Sequence, residues 1–145
     1  MTKPLITILT AAYDRADTIP ALYKSLLQQN NFNFEWLIVD DGSKDETKEI
    51  IHKYQENTTK FKIRYVFEHN KGKHFALNLG IKNISTELTF IVDSDDTITS
   101  NAIDIVEKTF YSQKNLSRIC GLSFLKADHN GSILSNKKFP YDGYI

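Results

Sequence analysis

The chain has 145 residues, which is enough for one domain with a full hydrophobic core. Its 18 basic and 18 acidic side chains give a formal net charge of zero, which argues against the basic surface that nucleic-acid-binding domains usually carry. The single cysteine excludes an internal disulfide and a cysteine-based zinc site, and no apolar run approaches the roughly 20 residues of a membrane-spanning helix. Because the N-terminus also lacks the apolar region of a signal peptide, we expect one soluble, cytoplasmic domain over residues 1–145.

Strand-like and helix-like segments alternate along the chain. Runs of β-branched and aromatic residues predict strands over 5–10, 36–39, 63–67, 88–92 and 119–125. Apolar residues three or four positions apart predict helices after residue 18, from about 44, over 74–82 and around 103–110. The alternation predicts an α/β fold with a mostly parallel central sheet and helices on both of its faces.

Several predicted elements carry recognisable end signals. Asp17 or Thr18 is expected to cap the first helix. Ser43 and Glu46 have the spacing of a capping box, which predicts that the second helix starts near residue 44. Asn130-Gly131 lies between two short apolar runs and predicts a hairpin turn.

The most informative stretch is Phe90-Ile91-Val92-Asp93-Ser94-Asp95-Asp96, in which an apolar strand runs into three carboxylates. A buried strand has no use for carboxylates, so we expect the strand to end there and its last side chains to point into a cleft. By the two-residue alternation of a strand, Asp93 and Asp95 point the same way and are the predicted ligands of one Mg²⁺ or Mn²⁺ ion. The alternative is a solvated turn in which an aspartate caps the next helix.

Polar residues also follow the neighbouring strands, at what should be the same edge of the sheet. Ligands of parallel α/β sheets bind outside the carboxyl ends of the strands, where Thr10, Asp41 and the acidic stretch all fall. Asp41 is a candidate for hydrogen bonds to a base or sugar, and the alternative is a plain strand-to-helix turn.

Tyr13, Arg15 and Lys73 are candidates for contacts with a ring and with phosphate. Tyr13 follows small residues and either stacks on a planar ring or packs in the core. Arg15, and the two lysines on either side of Gly72 just before a helix, either bind phosphate or are solvated loop charges. Neither a Walker loop nor a dinucleotide-binding fingerprint is present.

Four motifs in this order resemble those of family 2 glycosyltransferases over about residues 4 to 125. They are Thr10-Ala-Ala-Tyr13-Asp14-Arg15, Leu37-Ile38-Val39-Asp40-Asp41-Gly42-Ser43, Asn70-x-Gly72-x-x-x-Ala76-x-Asn78-x-Gly80 and Asp93-Ser94-Asp95-Asp96. The resemblance implies a GT-A fold, a Rossmann-like nucleotide-binding half that takes an activated sugar, usually a UDP-sugar, together with Mn²⁺ or Mg²⁺.

The resemblance also implies individual roles. Ala11 and Tyr13 would line the uridine pocket, and Asp41 would bind the uracil edge. Lys73 would lie near the phosphates, and Asp95 would coordinate an ion that bridges the diphosphate. The implied donor contacts are Thr10, Ala11, Tyr13, Arg15, Asp41, Lys73, Asp93 and Ser94, and the implied metal ligands are Asp93 and Asp95.

The sequence departs from the family's pattern at two points, one of which concerns the acceptor. The family's usual Pro-Thr pair before the tyrosine is Ala11-Ala12 here. The family's acceptor-activating base comes later in longer chains, and neither Asp128 nor Asp142 has its expected context. We therefore expect the base beyond Ile145, and this chain to be the nucleotide-binding part of an inverting enzyme. A glycan or lipid-linked acceptor, polysaccharide synthesis and association with the inner face of the cell membrane are further implications of the resemblance.

Three other functions remain open at this point. Asp93 to Thr97 also fits the Asp-x-Asp-x-Thr signature of haloacid-dehalogenase-like phosphatases, although too few residues follow for the rest of that core. A receiver-like signalling module would hold Mg²⁺ with Asp40 and Asp41. The third alternative is a module that binds a nucleotide sugar without turning it over.

Overall fold

The computed structural model describes residues 3–113, 121, 124, 126–128 and 130–134. The chain divides into two compact units, Met1–Lys108 and Thr109–Ile145. The described strands are β1 (Ile6–Ala12), β2 (Phe34–Asp40), β3 (Lys62–Phe67) and β4 (Leu88–Ile91). The described helices are α1 (Ile19–Leu27), α2 (Thr47–Asn57), α3 (Lys73–Lys82) and α4 (Ala102–Ser112). No helix in the described part of the chain is both long enough and apolar enough to cross a membrane.

The four strands form one sheet in the order β3-β2-β1-β4, and every neighbouring pair is parallel. β2 is buried along its whole length, and β1 is buried at all but one position. Strands enclosed on both faces need apolar side chains at nearly every position, which explains their continuous rather than alternating hydrophobicity. Because the strands are parallel, the segments that follow β1, β2 and β4 all emerge at one edge of the sheet.

Helices cover both faces of the sheet, as the sequence predicts. On one face, Ile8 and Trp36 belong to a core that receives Leu22 from α1, Ile51 from α2 and Ile103 from α4. The other face carries a smaller core, formed by Leu9, Leu37, Val39 and Ala76. Ala76 belongs to α3, so this single helix covers the second face of the described sheet.

A glycine sets how closely α3 approaches the sheet. A Cβ atom on Gly80 would collide with the side chain of Leu9 in β1. Leu9 is fully buried and has little room to move. The absence of a side chain at Gly80 therefore brings the N-terminal end of α3, with Lys73, to its place beside the sheet edge.

Two of the predicted helix caps are wrong. Thr18 occupies the N-cap position of α1, but its backbone is already helical (φ −102°, ψ −35°) and its side chain makes no capping hydrogen bond. A capping side chain usually needs an extended backbone to reach the free N–H groups. The capping box at Ser43 is also not formed, since α2 begins at Thr47 and the Ser43 hydroxyl accepts the Asp14 N–H instead, at 2.9 Å.

The hairpin turn at Asn130-Gly131 is present in the second unit. Ala127 and Ile133 form an antiparallel bridge, and Gly131 has the positive φ of 82° that such turns require. The Asp128 carboxylate accepts the backbone N–H groups of Asn130 and Ser132 at 2.9 and 2.8 Å. The strand predicted over 119–125 falls almost entirely outside the described residues.

Candidate active site

A cavity of about 150 Å³ opens at the sheet edge where β1, β2 and β4 end. All of its lining residues belong to the first unit. They are Ala11, Ala12, Tyr13, Arg15, Asp41, Lys73, Asp93, Ser94 and Asp95. The structure therefore brings together every residue predicted for the site except Thr10, and it adds Ala12.

Thr10 does not line the cavity. It is fully buried in β1, and its hydroxyl accepts the indole N–H of Trp36 at 3.0 Å. A buried tryptophan needs such a partner for its N–H group. The position of Thr10 is thus explained by the packing of the sheet.

Asp41 fastens the loop between β3 and α3 to the end of β2. Its two carboxylate oxygens accept the backbone N–H groups of Lys71 and Gly72, each at 2.8 Å. Gly42 allows the two segments to approach, since its φ is 84° and a Cβ atom there would lie 2.9 Å from the Asn70 nitrogen. Each carboxylate oxygen has a second lone pair, so Asp41 retains acceptor capacity toward the cavity.

The acidic stretch forms a turn and not a continuation of β4. The strand ends at Ile91, and the Asp96 N–H donates to the Asp93 carbonyl at 3.1 Å. Asp93 and Asp95 both face the cavity because of this turn, so the strand alternation used to predict their common direction is not the cause. Ser94 between them is nearly buried, whereas Asp95 is exposed.

Lys73 is the first residue of α3 and forms an ion pair with the acidic turn. Its Nζ lies 2.8 Å from Oδ1 of Asp93, with 59% of the Lys73 side chain and 36% of the Asp93 side chain exposed. The helix N-terminus adds partial positive charge at the same place. The cavity wall thus combines two cationic side chains, Arg15 and Lys73, with three carboxylates.

The predicted metal ligands at the cavity are two carboxylates, those of Asp93 and Asp95. Among the described residues, no group of three or more histidine, cysteine, aspartate and glutamate side chains is arranged to hold a metal. Mg²⁺ and similar ions are commonly held by one or two carboxylates, with substrate phosphates and water completing the shell. Asp93 and Asp95 fit that kind of site, in which a diphosphate supplies further ligands.

Asp40 has a supporting role that the sequence did not distinguish from that of Asp41. It is fully buried, and its carboxylate accepts the Ser43 N–H at 2.8 Å and the Tyr65 hydroxyl at 2.6 Å. Burial raises the pKa of Tyr65, and the hydrogen bond to Asp40 raises it further. The sequence could indicate this contact only through the strand register, which pairs Tyr65 of β3 with Ile38, two residues before Asp40 in β2.

A second set of hydrogen bonds joins the segment after β1 to the segment after β2. Arg15 N–H donates to the Thr47 hydroxyl at 2.8 Å, and Ala16 N–H donates to the Asp45 carboxylate at 2.9 Å. Burial raises the pKa of Asp45, but the hydrogen bonds from Thr47 and Ala16 outweigh it and hold that pKa below its ordinary value. No sequence pattern predicts this contact.

Comparison with known proteins identifies the family of this fold. The family described as Glycosyl transferase family 2 matches residues 7–116. The poly-beta-1,6-N-acetyl-D-glucosamine synthase of Staphylococcus aureus (strain MSSA476) is 32% identical over 119 residues, which is 80% of this chain and 28% of that protein. The putative teichuronic acid biosynthesis glycosyltransferase TuaG of Bacillus subtilis (strain 168) is 29% identical over 143 residues, 99% of this chain and 53% of that protein. The chain thus spans between about a quarter and half of these relatives.

Solved structures share the fold. TarS from S. aureus in complex with UDP-GlcNAc has a TM-score of 0.66 and 28% identity, covering 74% of this chain and 31% of that chain. The mannosyltransferase PcManGT from Pyrobaculum calidifontis, solved with GDP-Man and Mn²⁺, has a TM-score of 0.69 over 75% of this chain and 33% of that chain. At 22% identity this second likeness shows the fold alone. The predicted GT-A fold is confirmed.

Proposed function

The chain belongs to glycosyl transferase family 2, and from this premise we propose that its cavity binds the diphosphate and nucleoside of an activated sugar, a UDP-sugar. The whole protein would transfer that sugar to a glycan or lipid-linked acceptor. The observation that carries the proposal is the convergence of Tyr13, Asp41, Lys73 and the Asp93–Asp95 turn on one cavity at the carboxyl edge of the sheet. This is the edge at which parallel α/β sheets bind their ligands.

Each wall of the cavity suits one part of the donor. The small side chains of Ala11 and Ala12 leave room for a flat base, beside which Tyr13, 39% exposed, offers its ring. Asp41 holds the loop of Lys71 and Gly72 and offers its remaining lone pairs to the base edge or the ribose. Lys73 and Arg15 supply positive charge for the phosphates.

Asp95, together with Asp93, would hold a Mn²⁺ or Mg²⁺ ion. Asp95 is exposed at the cavity and Asp93 is its neighbour across the turn, so both carboxylates are available to an ion that a diphosphate also contacts. Such an ion, when bound, stabilises the negative charge that develops on a departing diphosphate. The paired carboxylates and the family resemblance support the ion.

The proposed reaction is a displacement with inversion at the anomeric carbon. An acceptor hydroxyl oxygen forms the new bond to that carbon while the bond to the diphosphate oxygen breaks. The nucleoside diphosphate leaves with the bonding electron pair, and the hydroxyl proton passes to a general base. We assign that base to no residue of this chain, since the acids at the cavity are the ones that we propose bind the donor and its ion.

The relatives support the class of reaction and the kind of donor. TarS, which shares the fold and 28% of the aligned residues, was solved with UDP-GlcNAc. The synthase relative is named for poly-beta-1,6-N-acetyl-D-glucosamine and TuaG for teichuronic acid biosynthesis, and we extend to this chain a role in polysaccharide synthesis at the cytoplasmic face of the membrane. Family membership also accounts for the acidic motif without a phosphatase or a receiver module.

Calorimetry with UDP, with and without Mn²⁺, tests the proposal. We expect UDP to bind, Mn²⁺ to strengthen the binding, and Asp95→Ala to remove the effect of Mn²⁺. Asp96→Ala is the matched control, because Asp96 adjoins Asp95 but does not line the cavity. No UDP binding by the wild type would contradict the donor site, and UDP binding that is independent of Mn²⁺, or equal losses in the two variants, would contradict the proposed ion at Asp93 and Asp95. Retained binding with no transfer by the full-length protein would favour the non-catalytic module.

A further inference from the structure

Asp14 stands out because it does not line the cavity yet separates two residues that do. Tyr13 and Arg15 are both wall residues, whereas Asp14 between them is exposed and is not a wall residue. Its φ of +50° makes it the one non-glycine residue with positive φ in the described part of the chain. Aspartate tolerates this backbone region better than most residues, but the conformation still has a cost that neighbouring contacts must offset.

Those contacts are reciprocal hydrogen bonds with the segment after β2. The Asp14 N–H donates to the Ser43 hydroxyl at 2.9 Å. The Asp14 carboxylate in turn accepts the backbone N–H groups of Lys44 at 2.7 Å and Asp45 at 3.3 Å. Asp14 thus uses both its backbone and its side chain to join the two segments.

The neighbouring residues extend the same contact, which we call the loop–loop contact (residues 14–16 with 43–47). Arg15 and Ala16 donate their N–H groups to side chains of Thr47 and Asp45, as described above. Three successive backbone N–H groups therefore donate to side chains of the 43–47 segment, none of which lines the cavity. This arrangement fixes the direction in which the chain passes from Tyr13 to Arg15.

We propose that Asp14 is a positioning residue for the donor site, holding Tyr13 and Arg15 at the cavity through the loop–loop contact. For the identity of the ligand, the inference rests on the proposed function. Two properties of Asp14 are needed together: a backbone that accepts positive φ, and a carboxylate oxygen that accepts the N–H groups of Lys44 and Asp45. Asparagine has both properties, glycine has only the first, and alanine has neither.

The first arm of the test needs no ligand. Backbone hydrogen exchange of residues 14–16 is measured in the wild type, Asp14→Asn, Asp14→Gly and Asp14→Ala. We expect exchange to be about tenfold faster in the glycine and alanine variants and close to wild type in the asparagine variant. Asp17→Ala is the matched control, because Asp17 is an exposed acid three residues away that adjoins no wall residue. If the alanine variant does not fold, Ser43→Ala removes the acceptor of the Asp14 N–H and should speed its exchange.

The second arm measures the dissociation constant of UDP with Mn²⁺. We expect the glycine and alanine variants to bind UDP about fivefold to tenfold more weakly, and the asparagine variant within about twofold of wild type. A positioning role further requires that Asp14→Gly and Tyr13→Ala be less than additive, since each removes the same ring contact. A residue that acts only on overall stability would give additive losses.

The two arms separate the inference from the function on which it rests. If the wild type binds no UDP, the proposed donor fails, while the exchange arm still decides whether Asp14 holds the loop. Exchange in Asp14→Ala that matches Asp17→Ala would overturn the inference. So would faster exchange with unchanged UDP binding, or an asparagine variant that behaves like alanine.

Discussion

Replacing Lys73 with methionine should have opposite effects on the binding of metal alone and of nucleotide. The methionine keeps most of the side-chain stem but removes the ammonium group that lies 2.8 Å from Asp93. In the absence of nucleotide this ammonium should compete with the proposed divalent ion for the Asp93 carboxylate. When nucleotide binds, the same ammonium is expected to turn to the diphosphate.

The structure sets the size of both effects. Because 59% of the Lys73 side chain and 36% of the Asp93 side chain are exposed, the ion pair should contribute about 0.2–1 kcal/mol. Removing the competing ammonium in Lys73→Met should therefore raise the affinity for Mn²⁺ alone by at most about fivefold. A charge-assisted hydrogen bond to phosphate contributes about 1.5–3 kcal/mol, so the affinity for UDP should fall by about tenfold to a hundredfold.

Lys71→Met is the matched control for this experiment. Lys71 lies in the same loop and pairs with an acid in the same way, its Nζ being 3.1 Å from Glu68, but it does not line the cavity. Titration of Mn²⁺ followed by electron paramagnetic resonance, and calorimetry with UDP in the presence of Mn²⁺, measure the two affinities. Equal UDP affinities in the two variants, or weaker binding of Mn²⁺ alone in Lys73→Met, would refute the reasoning.

Three further predictions concern stability and its dependence on pH. Gly80→Ala should lower the free energy of unfolding by about 1–2 kcal/mol, because the collision of the new methyl group with Leu9 outweighs the better helix propensity of alanine. Chemical denaturation measures this loss. Adding Leu9→Val, which shortens the side chain that is hit, should restore part of it. Burial and the hydrogen bond to Asp40 raise the pKa of Tyr65. The neutral phenol's contribution to folding stability is therefore fully present below the ordinary pKa of 10.0, and it is lost as pH rises from there through the raised pKa. The free energy of unfolding of the wild type should therefore fall more between pH 8 and pH 11 than that of Tyr65→Phe. An equal fall in the two proteins would contradict this prediction. Burial raises the pKa of Asp45, but its hydrogen bonds lower it further, so the net pKa lies below 3.8. The contribution of the Asp45 carboxylate to folding stability should therefore be lost as pH falls below 3.8. In acid denaturation, Asp45→Asn should lose less stability over this range than the wild type.

The sequence predicted the strands and helices well because their signals are local. The apolar runs of β1 and β2, and the three- and four-residue spacing of Leu22 and Leu26 in α1, depend on nothing beyond the segment itself. The predicted start of α2 was wrong by three residues, because it depends on a residue that is distant in the sequence. Ser43 has the right spacing for a cap, but its hydroxyl accepts the N–H of Asp14 instead.

The candidate site shows the same division. The positions of Asp41, Asp93 and Asp95 just after apolar strands were enough to predict that they meet, since parallel strands end at one edge. Their partners were not predictable. The sequence does not show that Asp41 binds the N–H groups of the 71–72 loop or that Lys73 pairs with Asp93 across 20 positions.

The sequence by itself thus determined the parallel α/β fold, the family and the position of the acidic stretch after β4, because periodicity and short motifs are properties of consecutive residues. Only the tertiary structure decided that Thr10 accepts a hydrogen bond from Trp36 and that Asp14 joins the segments after β1 and β2, neither residue lining the cavity. Such roles depend on which backbone N–H groups lie within about 3 Å of a side chain, and that distance is fixed by the packing of segments about thirty residues apart. The acidic turn, which is the most informative stretch of the sequence, is therefore one wall of the cavity, and residues that follow β1, β2 and β3 form the other walls.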